Sequence, residues 1–357
     1  MAKLTVAVLY GGRSTEYEVS LQSGANIGAL LEKNGYRVIP VHVDRENKWF
    51  ATGKCGDTSG GTEVRPSMNG PFRLEEVSGG KGIAVDVVFP ALHGSYGEDG
   101  TMQGLLEMAG AAYVGCGVMA SSVGMDKELS KTLAALCGLP VLPHISLNAG
   151  DKIDFPDLGC RCAAIGYPVF VKPATLGSSV GVTRVESSSG LEKAVQHAFR
   201  FDTRVMVEKG VDMAREVVCG VLGAGGGIRT SLCGEVRPKN AHKFYDYDAK
   251  YIDPEGIDFV IPADLPAEMS GAMRNLAAAF FRGMGGSGLA RVDYLLDRAG
   301  KEFYFCEINT IPGFTSHSLY PSLFAKTGIP PETVVRELVE MAVERRRMRQ
   351  SLSVVRS

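Results

Sequence analysis

Apolar and polar positions along this chain follow two periods, and the switches between them mark its elements. Leu4–Tyr10 is an unbroken apolar run, which predicts a strand covered on both faces. A helix-like stretch follows from Glu18 to Asn34. Strands are expected at Tyr36–Val43, Val85–Ala91 and Ala112–Val114, with a helix over Thr101–Ala109. That alternation implies a parallel sheet with helices on its faces. The Gly- and Ser-rich stretch Thr52–Met68 reads as a surface excursion inside this region.

A helix over Met125–Cys137 ends at Gly138 and Pro140. Pro168–Pro173 and Gly181–Val185 read as paired strands around a Gly/Ser loop, followed by a helix at Ser189–Phe199 and a strand at Arg204–Lys209. Further β segments follow Val211, then a Tyr-rich loop at Phe244–Tyr251 and a helix around Ala272–Phe281. A last helix spans Glu332–Arg349, and no internal repeat has a fixed period.

The segment before that helix carries the most chemistry. Leu289–Asp297 and Lys301–Ile308 each alternate with period two, and Arg298-Ala299-Gly300 suits a three-residue hairpin loop with Gly300 left-handed. This register pairs Asp297 with Lys301 and sets Arg291, Asp293, Glu307 and Asn309 on one face. Val292, Leu296, Cys306 and Ile308 then face a core. Carboxylates, an amide and a guanidinium converging on one face are costly unless something ties them together. Hard oxygen donors shared with substrate phosphates suit Mg²⁺, and Arg291 would neutralise a transferring phosphoryl group. The competing reading is a solvated surface hairpin. The turn Asn309-Thr310-Ile311-Pro312-Gly313, leading into Thr315-Ser316-His317-Ser318, favours a substrate loop.

Three glycine patterns compete as nucleotide sites. Gly283–Gly288 matches GxGxxG but follows a helix and precedes a strand, the reverse of the dinucleotide-binding order. Gly115–Ala120 has the right order and lacks an acidic residue about twenty positions on. No GxxxxGK[ST] occurs, which excludes a P-loop NTPase. The third, Lys172 followed by Pro173–Gly181, is a small-residue loop whose N–H groups and hydroxyls can close over phosphates.

With 357 residues, two or three domains are expected. A net charge of −2 gives no general attraction to nucleic acid. Eight cysteines without a CxxC pair point to free thiols in a reducing compartment. No signal-peptide pattern and no apolar run of membrane-spanning length is found, so a cytoplasmic protein is expected. The basic run Arg345-Arg346-Arg347, with Arg349, suits the negative end of the last helix better than a nucleic-acid tail.

Together these pieces resemble the ATP-grasp fold, and within it the D-alanine–D-alanine ligases of peptidoglycan synthesis. The resemblance rests on GGRSTEYEVSLQSG at 11–24, ALHGSYGEDGTMQG at 91–104, YVGCGVMASSVGMDK at 113–127 and VKPATLGSSVG at 171–181. It continues through FYDYDAKY at 244–251, ARVDYLL at 290–296 and CEINTIPGFTSHSL at 306–319. It implies an α/β (α+β) chain in three domains. These are an N-terminal α/β substrate domain at 1–115, a central ATP-grasp domain at 116–209, and a C-terminal ATP-grasp domain at 210–357 with a lid loop and metal site.

The implied reaction is phosphorylation of one D-alanine carboxylate by ATP, then attack by the amine of a second. The resemblance assigns Mg²⁺ or Mn²⁺, two per site, to Asp293, Glu307 and Asn309, and stabilisation of phosphate and oxyanion to Arg291 with the Gly313 N–H. It assigns Lys127 and Lys172 to ATP phosphates, Ser179 and the lid residue Lys250 to ATP binding, Glu208, Lys209 and Val211 to the strand end around adenine, and Glu216 to the ribose. Glu16, Ser178 and Tyr251 match a hydrogen-bonded triad that positions the lid and the first D-alanine. His93 matches a residue beside that substrate, and Ser318 and Leu319 match the carboxylate site of the second. Plainer accounts compete for several of these: a helix N-terminal acid for Glu16, a structural loop histidine for His93, a partner of Arg215 for Glu216, and a helix N-cap for Ser318. A homodimer is expected from the resemblance, with D-alanine and ATP as partners.

Overall fold

The computed structural model describes residues 3–238 and 257–352, so the Tyr-rich loop with Lys250 and Tyr251 lies outside the described residues. The first region runs β1 (Thr5–Gly11), α1 (Tyr17–Lys33), β2 (Arg37–Val43), β3 (Trp49–Ala51), β4 (Thr62–Pro66), β5 (Arg73–Glu76), β6 (Ile83–Ala84), β7 (Val87–Pro90) and α2 (Thr101–Met108). Next come α3 (Val118–Met125), α4 (Lys127–Leu136), β8 (His144–Asn148), α5 (Phe155–Ile165), β9 (Val169–Pro173), β10 (Thr183–Val185), α6 (Leu191–Ala198) and β11 (Arg204–Lys209). The remainder is β12 (Arg215–Ala224), β13 (Arg229–Pro238), β14 (Ile257–Val260), α7 (Ala267–Gly283), β15 (Ser287–Leu296), β16 (Phe303–Asn309), α8 (Leu319–Lys326) and α9 (Pro331–Gln350).

Three sheets result. The first has the order β6-β5-β4-β3-β2-β1-β7, and only its β2-β1-β7 portion is parallel. Every residue of β1 is buried, as its apolar run requires. The expected excursion at Thr52–Met68 instead extends this sheet: β4 pairs with β3 and β5, and Val64 and Leu74 join the core. Ala112–Val114 makes only a parallel bridge, Tyr113 to Val88, rather than a strand. Helix α1 lies so close to β1 that a Cβ on Gly24 would stand 2.5 Å from Tyr10 Cβ. Glycine therefore sets that helix–sheet spacing.

The second sheet, β10-β9-β11-β8, and the third, β14-β13-β12-β15-β16, are antiparallel. The helix expected over Met125–Cys137 is α4, which starts at Lys127 because the extended backbone of Asp126 and its side chain cap it by accepting from the Glu128 and Leu129 N–H groups; α3 precedes it as a separate helix that was not expected. Ala120 and Ala134 of α3 and α4 share a core with β12, β15 and β16 of the third sheet, not with the second. Helix α9 returns to the first region, and Val334, Leu338 and Ala342 pack in one cluster with Val6, Ile27 and Val87. Its arginines do more than face the helix dipole. Arg345 donates to the Tyr113 and Gly115 carbonyls at 2.6 Å each and lies 4.2 Å over the Tyr113 ring. Among the described residues no helix is long and apolar enough to cross a membrane.

Candidate active site

The β15–β16 hairpin departs from strict alternation at one residue. Arg291 pairs with Asn309 and Asp293 with Glu307, whereas Tyr294 pairs with Phe305. Cys306 is thus an extra residue, a β-bulge. The turn is also longer than expected: Asp297 accepts and donates across to Glu302 and Lys301 rather than closing on a Lys301 pair, with Gly300 at φ 70° as foreseen. The bulge moves Cys306 from the expected core face, where Val292, Leu296 and Ile308 remain buried, to the side of the charged residues. Burial, with Glu307 beside it, pushes the Cys306 thiol up to about 12, so it stays protonated. The same shift brings Asp293 and Glu307 directly opposite each other, which uninterrupted pairing would not do.

The two carboxylates each have a cation at hand. Arg291 forks onto Asp293 with two bonds of 2.7 Å, and Lys127 Nζ lies 4.0 Å from Glu307 Oε2. Lys127 also donates to the Leu176 carbonyl in the Gly/Ser loop, and its own N–H bonds the Ala174 carbonyl at 2.9 Å. The loop, the start of α4 and the acidic hairpin therefore meet at one ammonium group. Burial pulls the Lys127 ammonium downward, partly offset by Glu307.

Next to it, Lys172 on β9 holds Glu208 on β11 at 2.5 Å, and Lys131 of α4 holds the other carboxylate oxygen at 2.5 Å. Burial pushes Glu208 up, but the two lysines outweigh it and hold it at about 2. Lys209 is exposed at the end of β11, with Val211 just beyond it and Glu216 at the start of β12. Arg215 forks onto Glu235 at 2.8 Å rather than serving as a surface partner for Glu216.

The Gly/Ser loop turns through two consecutive left-handed serines, Ser178 at φ 53° and Ser179 at φ 58°. Its base is anchored by Asp202, which accepts from the Thr175 N–H at 2.7 Å and the Thr175 hydroxyl at 2.8 Å. Ser179 is exposed, whereas Ser178 turns inward and donates to Glu16 Oε1 at 2.5 Å. Two members of the expected triad thus meet, although 162 positions separate them. Glu16 occupies the N-cap position of α1 without capping it.

His93 is buried. Its Nδ1 donates to the Ile311 carbonyl at 2.8 Å, because a carbonyl can only accept. Nε2 shares a hydrogen bond of 2.9 Å with the Ser23 hydroxyl, and the Ser23 oxygen accepts the Phe314 N–H at 3.1 Å. Glu98 Oε1 lies 3.5 Å from His93 Nδ1, and burial raises its carboxyl to about 7. This network fixes the segment around Gly313. Ser318 takes the N-cap position of α8, but its hydroxyl serves the Thr315 N–H at 2.9 Å and not the helix. A Cβ on Gly313 would lie 3.2 Å from Ser318 Oγ, so the two candidate groups are neighbours. Leu319 buries its side chain, leaving only its backbone for recognition.

A cavity of about 460 Å³ opens beside Glu16, Tyr96 and Gly177. A larger one of about 550 Å³, beside Arg184, Lys193 and His197, holds none of these residues. Reading the sequence missed Lys131, Glu98, Ser23 and Asp202. Glu98 lies inside the quoted 91–104 segment and so had a local signal, whereas Lys131, one helical turn after Lys127, had none.

Sequence comparison assigns residues 5–116 to the family described as the D-ala D-ala ligase N-terminus, and residues 133–340 to the D-ala D-ala ligase C-terminus. A D-alanine–D-alanine ligase A of Bradyrhizobium diazoefficiens is 42% identical over 98% of this chain and 98% of its own. A D-alanine–D-alanine ligase of Caldicellulosiruptor bescii is 40% identical over 99% and 98%. Among solved structures, the D-alanine–D-alanine ligase of Coxiella burnetii superposes with a TM-score of 0.86 at 30% identity, covering 98% of this chain and 97% of that one. The VanG D-Ala:D-Ser ligase of Enterococcus faecalis gives 0.82 at 33% identity, covering 96% and 100%. This chain has the ATP-grasp fold and belongs to the D-alanine–D-alanine ligase family.

Proposed function

We infer that this chain joins two D-alanines into D-alanyl-D-alanine for a cell-wall precursor, converting ATP to ADP and phosphate. A carboxylate oxygen of the first D-alanine attacks the γ-phosphorus, the bond to ADP breaks, and a D-alanyl phosphate forms. The amine of the second attacks the acyl carbon, loses a proton, and phosphate leaves. The observation that carries this reading is the meeting at Lys127 of the Gly/Ser loop and the Asp293/Glu307 pair.

Lys127, Lys172, Ser179 and Lys250 hold the phosphates, Glu208 to Val211 the purine, and Glu216 the ribose. The donor set fits a hard divalent cation: two facing carboxylates and the Asn309 amide, with water and phosphate oxygens to complete it. Among the described residues no three of His, Cys, Asp and Glu converge, so those remaining oxygens are needed. Asp293, Glu307 and Asn309 would hold magnesium or manganese there, two ions in this reading, which when bound would supply positive charge toward the transferring phosphoryl group. Arg291 and the Gly313 N–H stabilise the oxyanion of the tetrahedral intermediate.

Glu16, oriented by Ser178 and joined by Tyr251, takes the first D-alanine's ammonium group, with His93 beside it. Ser318 Oγ and the Leu319 N–H receive the second carboxylate. The reading includes three domains at 1–115, 116–209 and 210–357, a homodimer and a cytoplasmic setting. D-alanine is taken as the acceptor because the curated relatives at 42% and 40% identity over nearly the whole chain are named for D-alanine. D-alanine labelled with heavy oxygen in its carboxylate tests the route. One labelled oxygen should appear in the released phosphate, and unlabelled phosphate would rule out the acyl phosphate.

A further inference from the structure

Lys131 sits inside the protein with its side chain 0% exposed, an expensive place for an ammonium group. Two acceptors surround it: Glu208 Oε1 at 2.5 Å and the Phe305 carbonyl at 3.0 Å, with the Phe305 ring 5.5 Å away. Lys172 holds the second oxygen of the same carboxylate at 2.5 Å. Glu208 is itself only 2% exposed, so it is a buried anion shared by two cations.

The two lysines are not equivalent. Lys172 is 13% exposed, on the strand leading into the Gly/Ser loop, whereas Lys131 is enclosed by α4, β11 and β16. Of the pair, Lys172 has the route to a phosphate. If Lys172 were the sole partner of Glu208, moving it would strand a buried carboxylate without a counter-ion, which is strongly unfavourable. We propose that Lys131 is the standing counter-ion of Glu208, a positioning residue that frees Lys172 to leave the carboxylate for a nucleotide phosphate. Through the Phe305 carbonyl, Lys131 also ties the end of β11 to the strand that carries Glu307 and Asn309. The nucleotide and metal ends of the site thereby keep one spacing. This inference rests on the reading of Lys172 as a phosphate contact.

Steady-state ATP kinetics at saturating D-alanine test it, with the melting temperature of each variant recorded alongside. Lys131→Met should raise KM for ATP roughly tenfold or more, with a smaller change in kcat, because Lys172 stays locked on Glu208. Lys131→Arg keeps the charge and should recover most of the loss. In Lys131→Met/Glu208→Gln the neutral amide requires no counter-ion, so KM should return to that of Glu208→Gln alone, a strongly non-additive result. Lys131→Gln, which retains a donor for the Phe305 carbonyl, should resemble Lys131→Met in KM if charge is what matters. A lower melting temperature with KM for ATP unchanged, or additive effects in the double variant, would overturn the proposal. Lys172→Met separates the two layers of the argument. If it leaves KM for ATP unchanged, the phosphate reading of Lys172 fails and the proposal falls with it. If it raises KM while Lys131→Met does not, the proposal alone fails.

Discussion

Removing the Ser178 hydroxyl is the most informative perturbation of the substrate side. That hydroxyl donates to Glu16 Oε1 at 2.5 Å, from a residue only 7% exposed, and it joins the Gly/Ser loop to the loop before α1. A hydrogen bond to a charged acceptor contributes about 1.5–3 kcal/mol. At about 1.4 kcal/mol per factor of ten, Ser178→Ala should lower kcat/KM for D-alanine by roughly 10- to 150-fold. Alanine carries much the same left-handed strain as serine at φ 53°, so the substitution isolates the hydroxyl. Ser178→Gly, which relieves that strain, serves as the control for backbone effects. ADP release would be followed by a coupled assay across D-alanine concentrations at saturating ATP, with melting temperatures measured in parallel. Glu16→Gln in the same assay completes a cycle, and the two losses should not add. A change smaller than about threefold, or fully additive losses, would refute the role given to this bond.

Other perturbations follow from the same geometry. Glu307→Gln should reduce turnover far more than it lowers the melting temperature; wild-type rates would remove Glu307 from the metal role. Gly94→Ala would place a Cβ 2.8 Å from Glu16 Oε2 at a backbone φ of 72°, so kcat/KM for D-alanine should fall at least about tenfold, and unchanged kinetics would show that this loop yields freely. Glu235 gives a pH test: burial raises its carboxyl, but Arg215 and Arg237 outweigh that and lower it from 4.5 to about 2. A folded value below the unfolded one contributes stability above pH 4.5 that is lost as pH falls toward 2. Glu235→Gln should therefore flatten the acid limb of the urea midpoint, and an unaltered limb would discount this cluster. Phe280→Ala, in the core under β15, should cost about 3–5 kcal/mol in urea unfolding without changing KM for ATP.

What could be read in advance depended on how local the signal was. The strand β1 and helix α1 were legible because an unbroken apolar run and a small-residue helix face leave few alternatives. The hairpin residues were legible, but their register was not, because strict alternation has no place for the bulge at Cys306. The spacing of Phe305 and Ile308, both core-facing, was the available clue. Strands β5 and β6 span four and two residues, too short for periodicity to register. Helix α5 was hidden by Pro156, Gly159 and the closely spaced free cysteines Cys160 and Cys162, although Asp154 caps it. The Glu16–Ser178 pair came from family resemblance, since no local pattern joins residues 162 positions apart. Lys131 looked like any lysine on a solvated helix face; its burial is created by β11 and β16, distant in sequence.

Ligation of two D-alanines is tested most directly by ADP release from the purified chain with ATP and Mg²⁺, supplying D-alanine alone, L-alanine, D-serine, or D-alanine with D-lactate, and identifying the products by mass spectrometry. D-alanine alone should yield ADP, phosphate and D-alanyl-D-alanine in equal amounts. ADP formation indifferent to D-alanine, or product only when another acceptor is added, would contradict it.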